Sequence, residues 1–182
     1  MAQQKSDKRA KAAPAAEPIE RHTIAVLVDN EPGVLARVIG LFSGRGYNIE
    51  SLTVAQVEAA GNLSRITIVT SGTSMVVEQI KAQLGRLVPV HEVHDLTTQG
   101  AHIERDLALI RVINAGDKRI EALRIADVFR ARAVDATARS FVFEMTDSTE
   151  NIDRFVALMR ELGRIEVVRS GVVAIAYGDG KT

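Results

Sequence analysis

The sequence predicts an α+β protein made of two ferredoxin-like βαββαβ domains. Three observations carry that prediction. Short β-branched apolar runs alternate with segments whose apolar residues recur every three or four positions, in the order strand, helix, strand, strand, helix, strand. The same order then begins again in the second half of the chain. Leu84-Gly85-Arg86-Leu87 and Leu162-Gly163-Arg164-Ile165 stand at matching places, each where the second helix of a half meets its fourth strand.

The opening residues, 1–21, are rich in Ala, Lys and Gln, carry Pro14 and Pro18, and hold Ile19 as their only large apolar side chain after Met1. Such a segment cannot bury enough surface to fold, so a disordered tail is expected. Asp7, Glu17 and Glu20 interrupt it and argue against a targeting peptide. Thr23–Asp29 then reads as a buried strand. Asn30-Glu31-Pro32-Gly33 opens a helix, since asparagine is a capping residue and proline needs no donor in a first turn. Leu35, Val38, Ile39 and Phe42 give that helix one apolar stripe, and Gly44 and Gly46 end it. Asn48–Val57 and Leu63–Thr70 form a hairpin about the turn residues Gly61-Asn62. A second helix spans Ser74–Leu84, with Val77, Ile80 and Leu84 on one face, and a last strand runs from Leu87 to Leu96.

In the second half, Leu107–Ile113 is a strand and Arg119–Arg132 a helix with Ala122, Ile125, Ala126 and Phe129 inward. Val134–Ala138 and Ser140–Thr146 are strands, and Asn151–Leu162 is the next helix. Thr97 to Ala101 breaks the apolar pattern, so the domains are expected over 22–97 and 98–182. Cores of this size supply only a few kcal/mol, and association is therefore expected. The second and fourth strands of this topology lie at the sheet edges. Pro89 blunts the fourth, which leaves the second, with Leu52, Val54 and Val57, as the dimerisation edge.

Composition narrows the function. The chain has 182 residues, 46% of them hydrophobic, with 23 basic against 23 acidic side chains and no cysteine. Zero net charge provides no field for a polyanion, and thiolate metal sites and disulfides are excluded. No apolar run reaches the roughly 18 residues that cross a bilayer. A cytoplasmic protein that binds neither nucleic acid nor membrane is expected. His91 and His94, three apart on a strand, point to opposite faces and make a poor metal pair. Gly44-Arg45-Gly46 ends a helix rather than opening one, unlike a dinucleotide loop. Phe141 and Phe143 share a face, but no aromatic stands opposite on 107–113 to stack RNA bases, and packing accounts for them better. No serine elbow or paired carboxylates mark a catalytic centre.

The informative segment is Asp29-Asn30-Glu31-Pro32-Gly33-Val34-Leu35. A helix start leaves amide donors unpaired, and a glycine there lets a carboxylate approach the backbone. Asn30 and Asn48 offer amides that both donate and accept, which suits a zwitterion, and Val34, Leu35 and Val54 or Ala55 would surround a branched aliphatic side chain. A plain helix cap beside an ordinary turn asparagine explains the same residues.

The run Asp29–Ala55, DNEPGVLARVIGLFSGRGYNIESLTVA, closely resembles the regulatory (small) subunit of acetolactate synthase, whose first domain is an ACT amino-acid-sensing module. QGAHIERD at 99–106 and RSGVV at 169–173 extend the resemblance, which spans about residues 22–178. It implies a subunit with no catalytic residues of its own, serving valine, leucine and isoleucine biosynthesis. The catalytic (large) subunit of such an enzyme carries thiamine diphosphate, FAD and magnesium and condenses two 2-ketoacids. The small subunit activates it and conveys feedback inhibition, usually by valine. The resemblance further implies a homodimer of ACT domains with the effector held at their interface by Asn30 and Gly33 of one protomer, together with Asn48 and Ala55. Asp29 stands where glutamate is common in the family, and Pro32 in a variable place. Two other readings remain: a free-standing ACT sensor for another enzyme, and a small acylphosphatase-like enzyme. The latter resembles the topology but would need an arginine that the Asn30–Gly33 loop lacks.

Overall fold

The computed structural model describes residues 17–58 and 62–179. Residues 1–16, which hold most of the expected tail, and Gly61 of the expected turn lie outside the described residues. The first half consists of β1 (Glu20–Asp29), α1 (Val34–Arg45), β2 (Ser51–Glu58), β3 (Leu63–Gly72), α2 (Ser74–Leu84) and β4 (Val90–Asp95). A single helical turn, α3 (Leu96–Gln99), follows. Beyond it come β5 (His102–Ile113), α4 (Asp117–Val128), β6 (Arg132–Ala136), β7 (Ser140–Asp147), α5 (Thr149–Leu162), β8 (Arg164–Arg169) and β9 (Val173–Ala176).

Two antiparallel sheets result, ordered β2-β3-β1-β4 and β6-β7-β5-β8. Each is the order of a ferredoxin-like unit, with the second and fourth strands at the edges. The central strands of the first sheet, β1 and β3, pair from Glu20↔Gly72 to Asp29↔Leu63. Their alternate residues Ile24, Val26, Val28, Ile66 and Ile68 form a core with Val38 and Phe42 of α1 and Val77, Ile80 and Leu84 of α2. Each fully buried side chain of this size contributes about 1.5–3 kcal/mol by leaving water.

Several boundaries differ from the expectation, for local reasons. Glu20 and Arg21, assigned above to the tail, belong to β1, because Arg21 pairs with Glu104 at 3.0 Å and is held against the second half. The helix cap is Gly33 and not Asn30, so the buried stripe of α1 is Val34, Val38 and Phe42, while Leu35 turns outward. The fourth strand starts at Val90, after a run of turns closed by Leu87 N–H donating to Leu84 and Val90 N–H to Leu87. α2 keeps the expected bounds.

In the second half, Phe141, Phe143 and Met145 of β7 face Ile152, Phe155 and Met159 of α5. Phe143 meets Phe155 edge to face at 5.9 Å, and Phe155 lies 5.5 Å from Phe129. Both β7 phenylalanines thus face the helices and are closed to a base. β5 is longer than expected. Its second portion pairs with β7 and β8, and its first, His102–Arg105, pairs with β9.

That β5–β9 ribbon lies on the face of the first sheet that the helices leave open. Ala174 and Ala176 pack there against Ala25 and the buried Leu96 of α3. The 105–106 and 169–173 motif segments sit at this seam: Ser170 Oγ donates to Asp106, and the Val172 N–H donates to Ser51 Oγ at 2.8 Å. Among the described residues no helix is long and apolar enough to cross a membrane.

Candidate functional site

β1 delivers Asp29 and Asn30 to one end of the first sheet. The Asn30 N–H donates to the Asn62 carbonyl at 2.7 Å, and the Asn62 amide returns a bond to the Asn30 carbonyl at 3.3 Å. This brace fixes the backbone of Asn30 and leaves its own side chain exposed to solvent. Asp29 is held by His91, 2.7 Å away, and its N–H donates to the Pro89 carbonyl. Neither Asn62 nor His91 stood out as a site residue in the sequence. The position of Asn62 in a hairpin turn was the available signal for the first.

Gly33 follows with φ +88°, a left-handed conformation that side chains resist, and no atom lies within 4 Å of where its Cβ would be. α1 therefore starts with open space before it and with no side chain capping its amides. The first-turn amides of Leu35 and Ala36 have no acceptor four residues back. The Leu35 side chain beside them is exposed. α5, by contrast, is capped, since Ser148 accepts from the Asn151 N–H at 3.3 Å. Val34 is 4% exposed and its side chain belongs to the core, which corrects its expected place on the pocket rim.

Asn48 lies elsewhere. Its carbonyl accepts from the Thr70 hydroxyl at 2.6 Å, at the end of β3 that pairs with the start of β1. Asn30 sits beside Leu63, at the other end. The span of β3 from Leu63 to Thr70, at about 3.3 Å per residue, puts roughly 23 Å between the two asparagines. One chain brings together Asn30, Gly33 and Leu35 and keeps Asn48 away from them. Ala55 is on β2 opposite Arg65, and lines a cleft of about 360 Å³ with Thr53, Val57, Ile103 and Val173. The cleft opens on the β9 side of the sheet, away from the helices. β2, which follows Asn48 and carries Ala55, pairs only with β3 among the described residues and is an edge of the sheet.

Several other titratable groups form structural clusters. His22 and Asp95 are buried with Nδ1 and Oδ2 3.0 Å apart, and Lys81 approaches the same carboxylate at 3.9 Å. His94 contacts Glu92 and Gln99, on no common partner with His91. Burial works to raise the pKa of Glu104, but its hydrogen bonds with Arg21 and His102 and the Arg21 charge, with the Thr23 hydroxyl nearby, outweigh it and hold the carboxyl below its ordinary value of 4.5. Among the described residues no group of three or more His, Asp or Glu side chains is placed to hold a metal ion.

Two family models match the chain. The small-subunit-like ACT domain of acetohydroxyacid synthase covers residues 24–92, and the small subunit of acetolactate synthase covers 105–178. The chain is 47% identical over 161 residues to the probable acetolactate synthase small subunit of Archaeoglobus fulgidus, covering 88% of this chain and 99% of that one. It belongs to the acetolactate synthase small-subunit family. The isozyme 3 small subunit of Salmonella typhimurium is 45% identical over 160 residues, covering 87% of this chain and 97% of its own. Among solved structures, the acetolactate synthase small subunit of Thermotoga maritima superposes with a TM-score of 0.79 at 33% identity, covering 88% of this chain and 99% of that one. Membership in the small-subunit family thus extends over both sheets and the seam between them, and the first sheet with its two helices is the ACT domain.

Proposed function

We propose that this chain is the regulatory subunit of an acetolactate synthase, activating the catalytic subunit and carrying feedback inhibition by a branched-chain amino acid, valine first. The observation that supports it best is the uncapped, glycine-opened start of α1 beside the braced Asn30. A zwitterion of small size fits there: its carboxylate meets the first-turn amides at the positive end of the helix and accepts from the Asn30 side-chain N–H, which lies beside them. Leu35 supplies an apolar wall for the isopropyl group. The site is completed by Asn48 of a second copy, because the distance along β3 keeps the chain's own Asn48 out of reach. Pairing of two β2 edges in antiparallel fashion carries Asn48 of one copy toward Asn30 of the other. The proposed domain limits are 22–97 for the effector module and 98–182 for the second unit, with the β5–β9 ribbon bridging them.

Chemistry takes place on the partner in this reading. Thiamine diphosphate, FAD and magnesium belong to the catalytic subunit, and the chain contributes binding alone in the cytoplasm. The effector acts by binding two arrangements of the dimer unequally, and a tenfold change in activity needs about 1.4 kcal/mol of that difference. A free-standing sensor is disfavoured by the family match over 105–178, which lies wholly outside the ACT domain. Calorimetry with valine, leucine and isoleucine on the purified chain, paired with reconstitution of the catalytic subunit, tests the proposal. Saturable binding and valine-sensitive stimulation are expected. No heat with any of the three, and no change in the partner's rate, would overturn it.

A further inference from the structure

On the outer face of the ACT helices, Arg37, Gly40, Leu41, Gly44 and Arg45 of α1 form an open groove of about 600 Å³ with Gln83, Arg86 and Leu87 at the end of α2. Its lining holds three guanidinium groups and no acid. None of the three has an ion pair or hydrogen bond among the described residues, and all three residues are exposed. Arg45 and Arg86 stand near helix C-termini, where a cation complements the dipole. Arg37 stands in the first turn of α1, the positive end of the dipole, and has no such reason to be there. A Cβ on Gly40 or Gly44 would meet nothing within 4 Å, so the packing within this chain does not require these glycines. Each costs the helix about 1 kcal/mol relative to alanine and lowers the floor of the groove.

We infer that this groove docks an acidic segment of the catalytic subunit, two or more carboxylates pairing with Arg37, Arg86 and Arg45 while the segment's backbone passes over Gly40 and Gly44. The inference rests on the proposed function for the existence of that partner. Guanidinium groups match carboxylates in bidentate fashion, and an unpaired trio favours a polyvalent anion. The lining contains no aromatic ring for a nucleobase to stack on, which favours a peptide over a nucleotide. The chain's own amino-terminal segment carries Lys5, Lys8, Arg9 and Lys11 against Asp7 and is repelled. Of the other faces of the first sheet, one lies under the β5–β9 ribbon and the β2 edge is assigned to the second copy. The helical layer, with the β4 edge, is what remains of this unit for a different protein.

The test uses the full chain and the catalytic subunit encoded in the same genome. Association is measured by titration for wild type, for Arg37→Glu/Arg86→Glu, and for the milder Arg37→Gln/Arg86→Gln, at two salt concentrations, with homodimer mass and valine affinity as controls. The expected result is association about tenfold weaker or more in the Glu pair, intermediate in the Gln pair, with a flatter salt dependence and unchanged valine affinity. Wild-type association with unchanged affinity in both variants overturns the docking site while sparing the proposed function. Loss of the homodimer in the variants assigns the groove to a second copy and overturns it. Tight binding of inorganic tripolyphosphate without effect on association assigns it to a small anion, with the same consequence. A wild-type chain that fails to bind the catalytic subunit removes both proposals.

Discussion

The Thr53 hydroxyl of β2 donates to the Val172 carbonyl at 2.9 Å, joining residues 119 apart in the chain. This bond, with the one from the Val172 N–H to Ser51 Oγ, fixes the seam between the ACT domain and the second unit. It also accounts for the glycine in the segment 169–173. Gly171 has φ +87°, and a Cβ there would lie 2.9 Å from both Ser51 Oγ and Thr53 Cγ2.

Gly171→Ala is accordingly expected to destabilise the chain by about 2–4 kcal/mol, combining left-handed strain with a clash against β2. Urea unfolding followed by circular dichroism measures it. Loss of under half a kcal/mol would mean that the ribbon shifts freely against β2.

Glu104 ties β5 to Arg21 of β1 at the same seam. Its folded pKa lies below the ordinary 4.5, so protons bind the unfolded chain more readily. Its stabilising effect is fully present above about pH 4.5 and is lost as pH falls through the folded value. Denaturant midpoints of Glu104→Gln and wild type should therefore converge on going from pH 7 to about pH 3. A gap that stays constant over that range would show that the carboxylate's charge contributes nothing.

Phe155 connects Phe129 and Phe143 in the second core and is fully buried. Phe155→Ala should cost about 3–5 kcal/mol, the usual loss for an emptied aromatic site. Valine affinity measured below the unfolding transition should hold within about twofold, since the proposed effector residues lie on the other sheet. A large loss of affinity would place the effector site within reach of the second core.

The limits of α2 and the core of both halves were legible in the sequence because helical period and burial coincide there, as at Val77, Ile80 and Leu84. The stripe of α1 was read correctly at Val38 and Phe42 but not at its first member: a glycine cap leaves no polar side chain to mark where the helix begins, and Leu35 matches the period as well as Val34. β9 has four residues and α3 one turn, too short for either period to register. The His22–Asp95 pair joins positions 73 apart, and only the register of β1 with β4 brings them together. Of the site, the local cluster Asn30–Leu35 could be read directly. The distance of Asn48 from it could not, because that follows from strand direction.

Asn30→Asp places a carboxylate where the effector's own carboxylate must sit, and the variant is expected to bind valine at least about tenfold more weakly. The helix start and the Asn62 brace use backbone atoms and should persist. Isothermal titration reads the affinity, and co-purification with the catalytic subunit should be unchanged. Wild-type affinity in this variant would take Asn30 out of the site.

The separation of Asn30 from Asn48 allows a stricter test of a shared site. Asn30→Asp and Asn48→Asp chains should each lose valine binding alone, since every site in either homodimer contains one altered residue. A hybrid dimer differs: one of its two sites carries both substitutions and the other carries none. Unfolding and refolding an equal mixture makes about half the dimers hybrid, so about one quarter of the wild-type site number should reappear with wild-type affinity. The stoichiometry from titration measures this directly. Recovery depends on the two asparagines acting from different chains; if both served one site within a single chain, mixing would restore nothing.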